Sequence, residues 1–474
     1  MNSFDLLTQD FVLSFKEGIS LVEQADGSAV LESPGANLPL GQASKGMRAA
    51  LRLLSTQGAI EKELVDLAGQ HDGSAGLPKM LYYLQRFTQS GLICHTVTSN
   101  GSKLATIVPT SPIYQFRLVE PALHEPYSLS RFAYLHQNGG QFVLESPLAQ
   151  AKIVLHCWQA TAMLHGLATS RTLTELGKDF QDITDASISL FVSLLLGCDM
   201  VQRAGKEEPE ALAQWDFHDL LFHSRSRLGR YTGPYGATYR FRDKTQPLPV
   251  VKPLMSEETI SLYKPDLDTL KKDDPSFTCV LEERQSMRKQ DGERPITLEQ
   301  LGEFLYRTAR IRALHQAEQG LYEYSSRPYP NGGACYELEL YVAARACTGL
   351  SQGLYHYDPR EHQLCKLAGR ADAVNILLQE ASYATAEQSR PQVLIILTAR
   401  FHRVTWKYEA MAYALILKNV GVLYQTMYLV ATAMGLAACA LGGGNSDLFA
   451  AAAGTDYFAE TSVGEFILGT KAGR

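Results

Sequence analysis

The chain has 474 residues, of which 45% are hydrophobic and 20% charged, and carries a formal net charge of -6. At roughly 100 to 200 residues per domain it has room for several packed cores, and the composition excludes a disordered or fibrous chain. The acidic balance gives no global attraction to nucleic-acid phosphates or anionic membranes, so any basic site is local and neither is an expected partner.

The opening Met1-Asn2-Ser3-Phe4-Asp5 has no basic start and no sustained apolar stretch follows it, which predicts a cytoplasmic protein without a secretory signal. The eight cysteines are scattered, with no CxxC pair, as expected of reduced thiols that pack. Neither a disulfide framework nor a metal site is expected.

Residues 19–24 and 29–33 flank Asp26-Gly27, a dipeptide that supplies the positive φ of a tight turn, so they read as a β-hairpin. Helical periodicity follows over 44–56, 60–69 and 77–90, then strands 96–99 and 103–108 around Asn100-Gly101. This order is a winged-helix outline and defines a first module, 1–110. Val30-Leu31-Glu32-Ser33-Pro34 recurs as Val143-Leu144-Glu145-Ser146-Pro147, an offset of 113 residues (143 minus 30). Around the second copy, 132–136 and 141–146 flank Asn138-Gly139, and helical patterns follow at 152–165, 172–180 and 186–199. A second winged-helix-like module is therefore expected over 111–205.

Residues 206–270 are proline-rich and weakly periodic, an ordered linker whose aromatic stretch 215–223 should pack on a neighbouring domain. An α/β region occupies 271–474. Within it, 411–441 is an apolar run broken by Lys418, Asn419 and Gln425, which reads as a helix buried in a core or subunit interface.

Three segments carry chemistry. Arg284, Ser286 and Arg288 alternate after the apolar turn Cys279-Val280-Leu281, and in an extended geometry they point one way, a cup for a phosphate dianion. The segment also reads as a solvated charge run. Asn331, Gly332, Gly333 and Ala334 let a planar ligand approach the backbone, and Leu441, Gly442 and Gly443 offer amides to another of its edges. His218 and His223 do not share a helix face and read as packing or capping residues, as His356 reads as a structural polar group. No Walker loop, GxGxxG or GxSxG stands out.

In order and spacing these segments resemble the nitroreductase-like flavoproteins, whose Arg-x-Ser-x-Arg holds the FMN phosphate and matches Arg284, Ser286 and Arg288. The closer resemblance is to the azoline dehydrogenases of thiazole- and oxazole-forming peptide pathways: the streptolysin-type and microcin-synthetase dehydrogenases and, above all, the cyanobactin oxidases. It rests on Phe217-His218-Asp219-Leu220-Leu221-Phe222-His223-Ser224-Arg225-Ser226-Arg227, on Gly353-Leu354-Tyr355-His356-Tyr357-Asp358-Pro359 and on Trp406-Lys407-Tyr408. The family's usual Ser-Gly-Gly-Ala-Leu-Tyr-Pro departs here to Asn331-Gly332-Gly333-Ala334-Cys335-Tyr336-Glu337, and Val422 stands where a histidine is common.

The resemblance implies an α/β (α+β) nitroreductase-like FMN domain behind two leader-recognition-like winged helices, assembled as a homodimer. It implies oxidation of thiazoline, with oxazoline as a second candidate, in an azoline-containing precursor peptide bound through leader and core. Lys407 and Tyr408 match the family's catalytic pair. A neighbouring ammonium favours phenolate, so Tyr408 is expected to have a lowered pKa and to act as an acid/base group. The alternatives are a general NAD(P)H-dependent nitro- or quinone reductase and a flavin-sensing, DNA-binding regulator, against which Lys79 and Arg86 are few cations for a recognition helix.

Overall fold

The computed structural model describes residues 11–473 apart from 34–35, 112, 232, 318–320, 369–370 and 387–389. The chain divides into two units, Met1–Gly233 and Pro234–Arg474.

In the first unit, Asp26-Gly27 turns the chain between antiparallel strands Ser20–Glu23 and Ser28–Ser33, with Gly27 at φ +85°, and Ala36–Gln42 adds a third strand. The Ser44 hydroxyl caps helix Lys45–Thr56 by accepting from the Met47 amide, and helices Glu61–Asp72 and Gly76–Gln89 follow. Asn100 and Gly101, at φ +50° and +78°, close the hairpin Ile93–Ser99/Ser102–Pro109, the double positive φ that an Asn-Gly turn supplies.

That hairpin is the middle of an antiparallel seven-stranded sheet in the order Ala59–Ile60, Val12–Phe15, Ile93–Ser99, Ser102–Pro109, Ala151–Leu155, Gln141–Glu145, Tyr134–Asn138. The two copies of the pentapeptide therefore sit in different sheets, the first in the three-stranded one and the second here, although Leu31 and Leu144 are both buried. Residues 152–165, expected as one helix, divide into strand Ala151–Leu155 and helix Trp158–Gly166. Ile153 and Val154 pair with Ile107 and Thr106, so cross-strand partners decide a stretch whose local pattern is ambiguous. Tyr127–Leu129 and Val201–Arg203, on either side of these elements in the chain, pair antiparallel as a separate two-stranded sheet. Asp216 caps helix Phe217–Arg225, whose Phe217 ring meets Tyr134 edge-on at 5.9 Å, so the aromatic stretch packs on the edge strand of its own unit.

The second unit is built on another antiparallel seven-stranded sheet: Thr259–Ser261, Gln363–Lys366, Gly353–Asp358, Leu338–Ala344, Val393–Arg400, Glu460–Thr470, Leu436–Leu441. Every residue of Val393–Arg400 is buried, as a central strand covered on both faces requires. Helix Ala412–Ala433 lays Ile416, Val420, Leu423 and Met427 into the core on one face of this sheet. The run 411–441, expected as one helix, stops there: Gly435 takes φ +68° and the chain returns as strand Leu436–Leu441. Alanine- and leucine-rich sequence has no periodicity to separate the two, and the left-handed glycine makes the break. Cys279-Val280-Leu281, expected as a turn, lies in helix Phe277–Glu283, which Ser276 caps.

Candidate active site

Strand Val393–Arg400 runs directly into a short helix, Phe401–Thr405, and Lys407 and Tyr408 occupy the turn between it and the long helix. Their amides donate to the Val404 carbonyl at 3.1 and 2.8 Å, and Trp406 anchors the turn through its indole N–H to the Thr245 carbonyl at 2.8 Å. The Lys407 ammonium donates to the Tyr322 hydroxyl at 2.9 Å and to the Gly333 carbonyl at 3.2 Å. Rings of Tyr322, Tyr408 and Tyr239 surround it, their centroids 5.1, 5.5 and 5.9 Å from Nζ.

The 331–334 loop closes over this pair. Gly333 adopts φ +64°, and a Cβ placed on it would lie 2.2 Å from the Tyr408 hydroxyl, so both backbone conformation and contact require glycine. A Cβ on Gly332 would strike Leu415. Ala334 and Tyr336 also take positive φ, +53° and +43°. Such conformations cost on the order of 1 kcal/mol or more each and persist where surrounding bonds over-determine them.

Those bonds come from a carboxylate. Glu337, fully buried, accepts from Asn331 Nδ2 at 2.9 Å and from Asn419 Nδ2 at 2.8 Å. The same amides turn their oxygens to the loop, Asn419 Oδ1 accepting from the Gly332 N–H and Asn331 Oδ1 from the Tyr336 N–H, each at 3.0 Å. Burial pushes the Glu337 carboxyl above its ordinary value, and the two amides oppose the shift. Arg403 fixes the loop's far end: its guanidinium donates to the carbonyls of Cys335, Leu248 and Glu323, and burial brings it down to about 10.

The electrostatics correct one expectation. Tyr408 has a raised pKa, because burial outweighs the neighbouring Lys407 ammonium. For Lys407 burial acts downward, yet the hydrogen bond with Tyr322 and the nearby tyrosines leave it above its ordinary value. Both groups hold their protons at neutral pH.

The second group of sequence-derived residues gathers elsewhere on the same helix. The Arg284 guanidinium lies over the Tyr428 ring at 5.3 Å, and Ser286 Oγ is 2.9 Å from the Tyr428 hydroxyl, which also accepts from the Ala440 amide. Met287 donates from its amide to the Ala438 carbonyl, so the 284–288 segment borders strand Leu436–Leu441. Arg288 is exposed. Gly442 and Gly443 follow Leu441 with open space where a Cβ would sit. From Asn419 to Tyr428 the helix climbs about 13 Å, so within one chain the Lys407/Tyr408/loop cluster and the arginine–serine cluster stand at two levels of one helix.

Four participants, Tyr322, Glu337, Asn419 and Tyr428, are not among the residues that the sequence motifs assign to the expected site. Asn419 was visible as a polar break in an apolar run and Glu337 as a departure from the family's proline; the two tyrosines gave no local signal. His356 is buried in a strand and bonds Glu339 Oε2 at 3.1 Å, while His218 packs beside its cap Asp216 and His223 beside Trp215.

Comparison with known proteins follows the same division. Residues 281–470 match the nitroreductase family model, which with the antiparallel sheet and long helix makes the second unit a nitroreductase-family domain and the protein an oxidoreductase. The first unit is similar to cyanobactin oxidases: residues 7–118 match the ThcOx helix-turn-helix domain model and 127–232 the cyanobactin oxidase ThcOx model. A nitroreductase-like protein of Methanocaldococcus jannaschii is 28% identical over 192 residues, 39% of this chain and 85% of its own. The trifolitoxin-processing protein TfxB of Rhizobium leguminosarum bv. trifolii is 28% identical over 117 residues, 24% of this chain and 31% of its own. Among solved structures, the E. coli microcin synthetase McbBCD complex with truncated pro-MccB17 bound is similar over 56% of this chain and 95% of that one, at 18% identity and a TM-score of 0.35.

Proposed function

We propose that the protein is an FMN-dependent azoline oxidase that converts thiazoline, and as a second candidate oxazoline, to the aromatic ring in a ribosomally made precursor peptide. The observation that carries this reading is the Lys407–Tyr408 pair packed on the Asn331–Ala334 loop, in a nitroreductase-family domain joined to cyanobactin-oxidase segments.

The residues fit a phosphate-bearing, planar group. Arg284 has an aromatic ring and, among the described residues, no carboxylate against its guanidinium, beside the exposed Ser286 hydroxyl and Arg288. These three would take the phosphate, with Asn331, Gly332, Gly333, Ala334, Leu441, Gly442 and Gly443 along the ring system. FMN, when bound, supplies the acceptor for the hydride that azoline aromatisation releases. The chain's own part is orientation and the proton. Tyr408 holds its hydroxyl at the loop through Gly333, and Lys407 stands beside it as the charge that eases ionisation of that phenol.

Helix Ala412–Ala433 is apolar and long enough to cross a membrane, yet only about a third of it is buried. Tyr413 and Leu417 lie exposed on it, and a second copy of the chain is the cover this reading assigns them, giving a homodimer. The winged-helix-like segments, 1–110 and 111–205, serve leader capture by strand addition, for which Ser20–Glu23 and Tyr134–Asn138 are edge strands; 206–270 connects them to the oxidase domain.

The test is direct. Denaturation should release FMN, identified by mass spectrometry, and a peptide thiazoline should lose two hydrogens under turnover. FAD, a colourless protein that FMN does not reconstitute, or NAD(P)H-driven nitroaromatic reduction without azoline oxidation would each overturn the reading.

A further inference from the structure

On the face of the first unit's seven-stranded sheet that turns away from its core lies a cleft of about 690 Å³, lined by residues of that unit alone. Strand alternation makes it. Leu13 and Phe15, Ala105 and Ile107, and Ile153 and Leu155 point into the core, which sends Ser14, Lys16, Thr106, Lys152 and His156 to the cleft. A polar face is the ordinary outer side of an antiparallel sheet. This one differs in being concave and roofed by the end of helix Phe217–Arg225, through Leu221, Ser224 and Arg225.

The lining charge is one-sided. Lys16, Lys103, Lys152, Arg225 and Arg230 face the cleft against two carboxylates, Glu17 and Glu145. Glu145 is already engaged, accepting from the Tyr134 hydroxyl and from His136, each at 2.8 Å. Arg230 donates to the Leu148 carbonyl, and Arg225 lies over the Tyr231 ring at 4.3 Å. Among the described residues the ammonium groups of Lys16, Lys103 and Lys152 meet no carboxylate. Burial lowers the Lys16 pKa and Lys152 adds like-charge repulsion, with Cys94 opposing; the same burial, with Lys103, lowers His156. In a chain of net charge -6, this local excess of cations over carboxylates favours an anionic ligand.

We infer that this cleft binds a peptide segment carrying several Asp or Glu side chains, seated across the face of the sheet. Lys16 follows strand Val12–Phe15, Lys103 and Lys152 lie in strands Ser102–Pro109 and Ala151–Leu155, Arg225 ends the roofing helix and Arg230 follows it, a spread too wide for one small anion and suited to carboxylates spaced along a chain. Between them runs a neutral ladder, Thr96–Thr106–His156, linked at 2.8 Å and 2.8 Å, that suits peptide amides. Glu145 and Glu17 in the same cleft oppose a phosphate backbone, which presents negative charge at every unit. The volume lies within the roughly 300–1,000 Å³ of pockets that enclose a compact ligand. The inference is independent of the azoline reading, since the cleft takes such a segment whatever the second unit oxidises.

Fluorescence anisotropy on the full chain tests it. The probe is a short labelled peptide in which glutamate alternates with alanine, beside the same peptide with glutamine for glutamate. The glutamate peptide should bind, more weakly as salt rises, and the glutamine peptide should not. Lys16→Gln and Lys152→Gln should each weaken binding about tenfold, or about 1.4 kcal/mol, and Lys16→Arg should retain it. Equal binding of the two peptides, unaltered affinity in both Lys→Gln variants, or displacement of the probe by oligothymidylate more readily than by unlabelled glutamate peptide would overturn it. Unchanged circular dichroism and retained flavin separate loss of the site from loss of the fold. Azoline oxidation on a leaderless substrate stays as it is in either case.

Discussion

Asn419 holds Glu337 and Gly332 together: its Nδ2 donates to the Glu337 carboxylate at 2.8 Å while its Oδ1 accepts from the Gly332 amide at 3.0 Å. One side chain on the long helix thus ties the end of a buried strand to the loop that packs on Tyr408. Asn419→Leu leaves a buried carboxylate oxygen and a loop amide without partners, for which about 2–4 kcal/mol of stability should be lost. Denaturant unfolding measures it. Glu337→Leu added to Asn419→Leu should cost less than the sum of the two, since the oxygen that lacked a donor is gone; strict additivity would show that the pair is not coupled.

Arg403 is the second tie. Its fork spans three carbonyls from three segments, Leu248, Glu323 and Cys335, a geometry that an ammonium cannot reproduce. Arg403→Lys should therefore lower stability by about 2 kcal/mol despite keeping the charge. A thermal midpoint equal to that of the wild type would reduce Arg403 to a space-filling role.

Much of this is legible in the sequence and some is not, for physical reasons. Hairpins at Asp26-Gly27 and Asn100-Gly101 were readable because positive φ is a local demand that few residues meet. The helix–strand break near Gly435 was hidden in a run that is apolar throughout, and strand Ala151–Leu155 depended on partners more than forty residues away. At the site, motif spacing reached Arg284, Ser286, Lys407 and Tyr408. It did not reach Tyr428 or Tyr322, whose places beside them are set by the sheet and the long helix bringing distant segments together.

Glu339 gives the second unit an acid limit. Burial raises its carboxyl, but the hydrogen bond from His356 and the charges of His356 and Arg400 prevail and hold it at about 2, against an ordinary 4.5. A carboxyl lowered on folding contributes stability that is fully present above its unfolded value and is lost as pH falls toward the folded one. The thermal midpoint of this unit should therefore drop between about pH 4.5 and 2. Glu339→Gln should be less stable at neutral pH, with Arg400 and His356 left facing a neutral amide, and its midpoint should fall less steeply across that window. Parallel acid limbs in the two proteins would place the acid sensitivity elsewhere.

The role proposed for Tyr408 turns on its proton. Burial holds the phenol above its ordinary value although Lys407 pulls it down, so at neutral pH only a small fraction is phenolate. If that phenolate takes the proton released on azoline aromatisation, single-turnover flavin reduction should rise with pH through the alkaline range, as a base of raised pKa requires. Tyr408→Phe keeps the ring against Gly333 and leaves the residues proposed to hold the flavin in place, yet should lose that rise and fall by about 10²- to 10⁴-fold where the wild type is fastest. Lys407→Ala removes the charge that favours phenolate, so the rise should persist but move to higher pH. A slope that survives in Tyr408→Phe, or stays in place in Lys407→Ala, would assign the proton to a group on the substrate and leave the pair to hold the 331–334 loop.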